Sequence, residues 1–289
     1  MHGVKMARMG GAGQAHHSTD KRGFKLMDEL LSFRPLGGGR YAFEVPEGWL
    51  QGRGLFGGII VAILIRAIEA EQADETRPLR SLTCEIVAPV LPGPALLVVD
   101  ALRQGSGLSC FRAVLEQGGQ VMAHAVGVLA KRRPAPMAWQ NLSPPAAPDW
   151  QTLPLTPMAA VGIPECAQRF DFRFVSGAPY AGPGVSPEVI GYVNTRLPWK
   201  RRDASTAGLL IDAWWSAAIV PMTTRRPIAT IAFSLDLIGD FEGLPPDAPL
   251  LHRGIAPVAW DGYVSEDREL WGVDGRLIAR NHQVVAVIA

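Results

Sequence analysis

Apolar residues recur along this chain in two rhythms. In "FGGIIVAILIRAIEAEQA" the positions Ile60, Leu64, Ala67, Ile68 and Glu71 fall at helical spacing, and the segment has almost no polar face. "RYAFEV" ahead of it reads as a strand. Behind it lie four runs with strand character, "RSLTCEIVAPV", "PALLVVDALRQ", "LSCFRAVLEQ" and "QVMAHAVGVLA". The turns between them come from "LPGP", "QGSG" and "QGG", where glycine and proline supply the tight backbone geometry.

The same order returns later. "AQRFDFRFVSG" and "EVIGYVNTRLP" predict strands, and "DASTAGLLIDAWWSAAI" predicts a helix capped by Asp203 or Ser205. Four more strands follow, in "PIATIAFSLDLIG", "APLLHRGIAPVAW", "YVSEDRELWG" and "RLIARNHQVVAVI". The ends of the two halves align, "GGQVMAHAVGVLA" with "DGRLIARNHQVVAVIA", and "GPALLVVDALR" with "DAPLLHRGIAP". Two weak matches in the same order indicate a duplicated unit. Short strands joined by tight turns require antiparallel pairing. The expected fold is α+β, two tandem units that each wrap an antiparallel sheet around a long apolar helix. The boundaries read as a flexible N-terminus over 1–22, a first unit over 23–133, a proline-rich linker over 134–165 and a second unit over 166–289. Trp139 and Trp150 are expected to pin the linker by packing.

Composition narrows the chemistry. A formal charge of +1 over 289 residues leaves no basic stripe for nucleic acid. Three cysteines without C-x-x-C spacing support neither a disulfide framework nor a structural zinc site, which points to a reducing, cytoplasmic setting. The apolar run 59–65 is too short to span a bilayer, and the first residues lack the apolar core of a signal peptide.

"GRGLFGG" contains a literal G-x-G-x-x-G, yet "PEGWLQ" separates it from the preceding strand. No acid closes a second strand about 20 residues on, and crossover helices are missing, so a dinucleotide site is disfavoured. A glycine-rich helix start that admits a ligand's carbonyl or phosphate to bare amides fits better, with Gly57 and Gly58 as candidate oxyanion donors. Asp212 lies in "LLIDAWW", among apolar or small neighbours. A carboxylate there must be hydrogen-bonded, solvated by a pocket or neutralised, unless it sits on an exposed helix edge. The corresponding first-half helix carries no acid until Glu69, so a duplicated pair would hold one working site. In "PIATIAFSLD" strict alternation sets Ile228, Thr230, Ala232 and Ser234 on one face and Ile231, Phe233 and Leu235 on the other. Thr230 can then reach a ligand or satisfy itself within the sheet. In the last strand Ala279, Asn281, Gln283, Val285 and Val287 share a face, and Gln283 is either a network member or an edge residue. His282 points the opposite way, beside Arg280. Neither H-E-x-x-H nor G-x-S-x-G occurs.

"GRGLFGGIIVAILIRAIEA", "RPLRSLTCEIVAPVLPG" and "VDALRQGSGLSCFRAVLEQGGQVMAHA" together resemble the first half of a TesB-like acyl-CoA thioesterase. "LLIDAW", "PIATIAFSLDL" and "GRLIARNHQVVAVI" are similar to the second half. The resemblance spans 27–130 and 168–288 and implies a double hotdog fold. It also implies a catalytic aspartate, hydroxyl residue and glutamine in the C-terminal half, which fall on Asp212, Thr230 and Gln283. The implied reaction is hydrolysis of an acyl-CoA by an aspartate-activated water, with no metal or other cofactor, in a homodimer or larger homo-oligomer. Arg103, Arg201 and Arg202 are candidates to meet the coenzyme A phosphates. Departures from the family pattern are the bulky Trp214-Trp215 pair and a "RQGSGLS" turn without the second arginine of R-x-G-R-x-x-S. The rivals are a non-catalytic acyl-CoA or lipid binder and an enoyl-CoA hydratase, whose D-x-N-x-x-H string is missing.

Overall fold

A computed structural model describes residues 23, 25–135, 137–158 and 163–288. One helical turn, α1 (Met27–Leu30), precedes the strands β1 (Phe33–Gly37) and β2 (Arg40–Val45). The glycine-rich stretch forms a miniature hairpin, β3 (Leu50–Gln51) and β4 (Gly54–Leu55), turned by Gly52 at φ +67°. The helix α2 (Gly57–Gln72) follows directly, then β5 (Leu79–Ile86), β6 (Gly93–Gln104), β7 (Leu108–Gln117) and β8 (Gln120–Ala130). The second half repeats the plan with β9 (Phe170–Ser176), β10 (Glu188–Thr195), α3 (Ala204–Ile211), β11 (Ile228–Leu237), β12 (Leu250–Trp260), β13 (Tyr263–Trp271) and β14 (Leu277–Val287).

Among the described residues twelve strands join one antiparallel sheet in the order β1-β2-β6-β7-β8-β5-β11-β14-β13-β12-β10-β9. Read outward from the centre, each half has the same succession of strands, as a duplicated unit related by a pseudo-two-fold axis must have. The halves meet where β5 pairs with β11, with Cys84 opposite Phe233 and Leu82 opposite Leu235. The sheet curls around both helices, and from Gly58 to Ile68 every α2 residue except Arg66 is buried. This is the double hotdog arrangement.

The second helix departs from expectation. It is eight residues long rather than a long central helix through Ile219, and it stops with Asp212 as its C-cap. Asp203 caps its start in a reciprocal capping box with Thr206. The chain leaves the helix because its next side chains belong elsewhere. Trp214 drives into the second-half core against Phe172, and the absent side chain of Gly191 makes room, since a Cβ there would lie 2.2 Å from the Trp214 ring. Trp215 donates to the Gly177 carbonyl at 3.0 Å, and Ser216 caps a short 3₁₀ turn, Ala217–Ile219. Of the two linker tryptophans, Trp150 packs, beneath the Arg173 guanidinium, whereas Trp139 is 73 % exposed and pins nothing.

The helices run antiparallel. Gly58 lies against the Leu209 carbonyl, Val61 and Ile65 against Gly208, and Arg66 against Asp203 and Ser205. A Cβ on Gly208 would come within 2.9 Å of Val61 Cγ1 and 3.0 Å of Ile65 Cδ1. Gly208→Val should therefore force the helices apart and cost about 1–3 kcal/mol, read as a lower urea midpoint with an unchanged m-value.

At the far end of this helix pair Glu69 is partly buried. Burial first, then the Asp203 carboxylate, pushes its carboxyl from 4.5 up to about 7, against the pull of Arg66 and Arg201. Between those values the folded state binds more protons than the unfolded chain, so stability falls as pH rises through the interval. Glu69→Gln should remove this loss. Its stability advantage over wild type should grow from pH 5 to pH 8, to about 2 kcal/mol after allowance for partial exposure, in urea titrations at both pH values.

Candidate active site

Asp212, Thr230 and Gln283 come together on the inner face of the sheet. Gln283, fully buried on β14, donates from Nε2 to Asp212 Oδ1 at 2.9 Å and to Asn281 Oδ1 at 3.0 Å. Its carbonyl oxygen accepts from Thr230 Oγ1 at 2.7 Å. The amide is thereby fixed in one orientation, with its nitrogen toward the aspartate and its oxygen toward the threonine. The expected alternation of the last strand holds: Asn281 and Gln283 are buried, while His282 faces outward and pairs with Asp267 at 3.0 Å.

Thr230 reaches this face by a route that strict alternation misses. The register between β11 and β14 slips between Thr230 and Ala232: Thr230 lies opposite Val285 and Ala232 opposite Val284. The extra residue, Ile231, bulges outward and is 38 % exposed. Beyond it Phe233 and Leu235 turn inward, so they share the inner face with Thr230, and Ala232 and Ser234 do not. The two-face assignment from the sequence is wrong on the C-terminal side of the bulge.

The helix break puts Asp212 at the junction of the halves. Its carboxylate, 7 % exposed, also accepts from Arg268 Nη1 at 2.9 Å and from the backbone N–H of Gly58. A Cβ on Gly57 would lie 2.8 Å from Asp212 Oδ2, so both glycines of the helix start are in contact with the aspartate. The N–H of Gly58 is committed to the carboxylate, which leaves Gly57 as the candidate oxyanion donor of the two. Burial raises the Asp212 carboxyl above the usual carboxylate range, and the Glu266 charge adds to this. The Arg268 guanidinium, the Gln283 amide and the Gly58 N–H pull it back.

Arg268, Glu266 and His252 escaped the sequence reading. On β13 the inner-facing positions Val264, Glu266, Arg268 and Leu270 are all buried, and Arg268 Nε donates to Glu266 Oε1 at 2.7 Å. A charged pair two residues apart between apolar residues of the same strand face was the available signal. Ser216 donates to the other Glu266 oxygen. Burial works to lower the Arg268 guanidinium, but Glu266 and Asp212 outweigh it and hold the group charged. His252, fully buried on β12, is kept neutral by burial and by Arg268. Cys84 and Cys166, near the aspartate, are pushed up to about 12 by burial, with the charges of Glu85 and then Asp212 adding at Cys84 and that of Asp212 at Cys166, so neither is a thiolate nucleophile. Among the described residues no three acidic, histidine or cysteine side chains group as metal ligands. Nor is any described helix long and apolar enough to cross a membrane.

Val285, opposite Thr230, and Val264, opposite Val285, pack in one apolar cluster with Ala218, Ala256, Met222, Ile228 and Val287. Part of this cluster, with Trp260 and Tyr263, lines a cleft of about 600 Å³. Of the arginines considered for phosphates, Arg202 is ruled out. It is buried, donating to the Ala248 carbonyl at 2.6 Å and to Asn194 at 3.1 Å. Arg103 and Arg201 are exposed.

Family models match most of the chain. Residues 45–130 match the acyl-CoA thioesterase N-terminal domain, and residues 139–287 match the acyl-CoA thioesterase C-terminal domain. No functionally curated protein matches the sequence. Among solved structures, a conserved protein with a hot dog fold from Alicyclobacillus acidocaldarius superposes with a TM-score of 0.79 at 22 % identity, over 91 % of this chain and 97 % of that one. The acyl-CoA thioesterase II TesB2 from Mycobacterium marinum gives 0.73 at 19 % identity, over 90 % and 97 %. The tesB protein of Mycobacterium avium subs paratuberculosis gives 0.71 at 15 %, over 90 % and 98 %. These likenesses establish the fold, and the two matched domains establish the family: the chain belongs to the acyl-CoA thioesterase family defined by these N- and C-terminal domains.

Proposed function

We propose that this protein hydrolyses an acyl-CoA thioester to a carboxylic acid and free coenzyme A, with Asp212 activating the attacking water. The observation that carries the reading is the hydrogen-bonded chain Thr230–Gln283–Asp212. A nucleophilic water must present a lone pair to the carbonyl carbon while both of its hydrogens are held. Thr230 gives its own hydrogen to Gln283, so its oxygen remains an acceptor. Asp212 Oδ1 is occupied by Gln283 and Arg268, while Oδ2 lies toward Gly57. The water's two hydrogens are then taken by Asp212 Oδ2 and Thr230 Oγ1, and its lone pair is left for the thioester.

As the water's oxygen bonds to the carbonyl carbon, its proton passes to Asp212. The carbonyl electrons collect on the oxyanion, which accepts from the Gly57 N–H at the start of α2, where amides have no acceptor within the helix. Collapse of the tetrahedral intermediate breaks the C–S bond, and the proton held by Asp212 leaves with the thiolate as thiol. Burial raises the aspartate's proton affinity toward that of an effective base near neutral pH. The apolar cleft that borders the Val285 cluster receives the acyl chain.

Thiol release from a panel of short, medium, long and aromatic acyl-CoAs tests the reading. Asp212→Asn should lower kcat by about 10²–10⁴-fold without a change in melting temperature. Wild-type binding of acyl-CoA with no thiol released would replace hydrolysis by the binding reading. Gly57→Ala should put a methyl group against Asp212 Oδ2 and displace the water. It should lower kcat by about 10²-fold and leave KM nearly unchanged; full activity in that variant would remove Oδ2 from the mechanism.

A further inference from the structure

Two carboxylates compete for one guanidinium beneath the site. Arg268 is 3 % exposed and Glu266 fully buried, and Arg268 bridges from Glu266 Oε1 at 2.7 Å to Asp212 Oδ1 at 2.9 Å. The same Nη1 donates to the Ile211 carbonyl at 3.2 Å, which ties the guanidinium to the last residue of α3. Ser216, on the chain just beyond the helix break, holds the far oxygen of Glu266. The triad therefore clamps the Asp212 turn from both sides, and its three charges sum to one negative.

Resting on the hydrolytic reading of Asp212, we propose that Arg268 and Glu266 are positioning residues. Arg268 locks Oδ1 so that Oδ2 alone faces the water, and Glu266 draws on the same guanidinium so that Asp212 is held without being neutralised. An arginine facing Asp212 alone would bind the carboxylate so well that it accepted a proton poorly. The flat fork of arginine suits this sharing, with Nε for one partner and Nη1 for the other. The other groups that act on Asp212 are the Gly58 N–H from α2 and Gln283 from β14, with Asn281 bound to Gln283 and neutral His252 from β12 facing Arg268. The protonated thiols of Cys84 on β5 and of Cys166 also feel its charge. Glu266 is thus the negative charge that opposes Arg268 at this position.

Glu266→Gln is the informative variant, because the amide keeps the shape and an acceptor for Arg268 Nε. Aspartate carboxyl carbons labelled with ¹³C, with Asp212 assigned by its loss in Asp212→Asn, report the titration of the carboxyl with or without turnover. Relative to wild type, the Asp212 midpoint should move to lower pH in Glu266→Gln. The acid limb of kcat/KM should move with it, and kcat should fall at constant KM. In Arg268→Gln, where it folds, the midpoint should move to higher pH. A merely structural role for Glu266 would lower the melting temperature and leave midpoint and acid limb in place, and that result overturns the inference. Absence of thiol release from every acyl-CoA in wild type would instead overturn the hydrolytic reading. The carboxyl titration would still decide whether Glu266 sets the charge on Asp212.

Discussion

A carboxylate removed from water has to be surrounded by donors, and the architecture around Asp212 follows from that requirement. Its partners come from separate parts of the molecule: Arg268 from β13, Gln283 from β14 and the Gly58 amide from α2. The first two belong to the same half as the aspartate and the third to the other half. The antiparallel packing of the helices brings the start of α2 to the end of α3, and Gly208 allows the close approach. Neither half alone assembles the donor set.

The pseudo-two-fold relation shows what the other half gave up. Aligning the ends of β8 and β14, as their sequences suggest, puts Gly127 where Gln283 stands and Ala125 where Asn281 stands. A Cβ on Gly127 would meet Ile68 and Leu79 at 3.0 and 3.1 Å, so aliphatic carbon fills the volume that a polar side chain takes in the second half. One half contributes a helix start and apolar mass, and the other contributes the polar chain Thr230–Gln283–Asp212.

Much of this was legible before any coordinates. The long strands of the sheet, apart from β1, and the first helix were readable because apolar alternation and turn residues agree along them. Asp212 and Gln283 stood out because a polar group in an apolar row demands partners. The extent of the second helix was not legible. "DASTAGLLIDAWWSAAI" has helical spacing throughout, and only tertiary packing of Trp214 and Trp215 ends the helix at Ile211. Glu266 and Arg268 were passed over because charged residues usually mark a solvated strand face, and their mutual pairing, invisible locally, reverses that rule.

The outward bulge at Ile231 makes side-chain facing in β11 depend on residue count rather than residue type. Upstream and downstream segments keep their own parity, and the one supernumerary residue reconciles them. Excising a single amino acid there would leave composition and hydrophobicity almost untouched, yet it would turn the hydroxyl outward or expel the aromatic and aliphatic residues that follow. An indel of one, ordinarily harmless at a loop, would at this point act like a frameshift written in three dimensions.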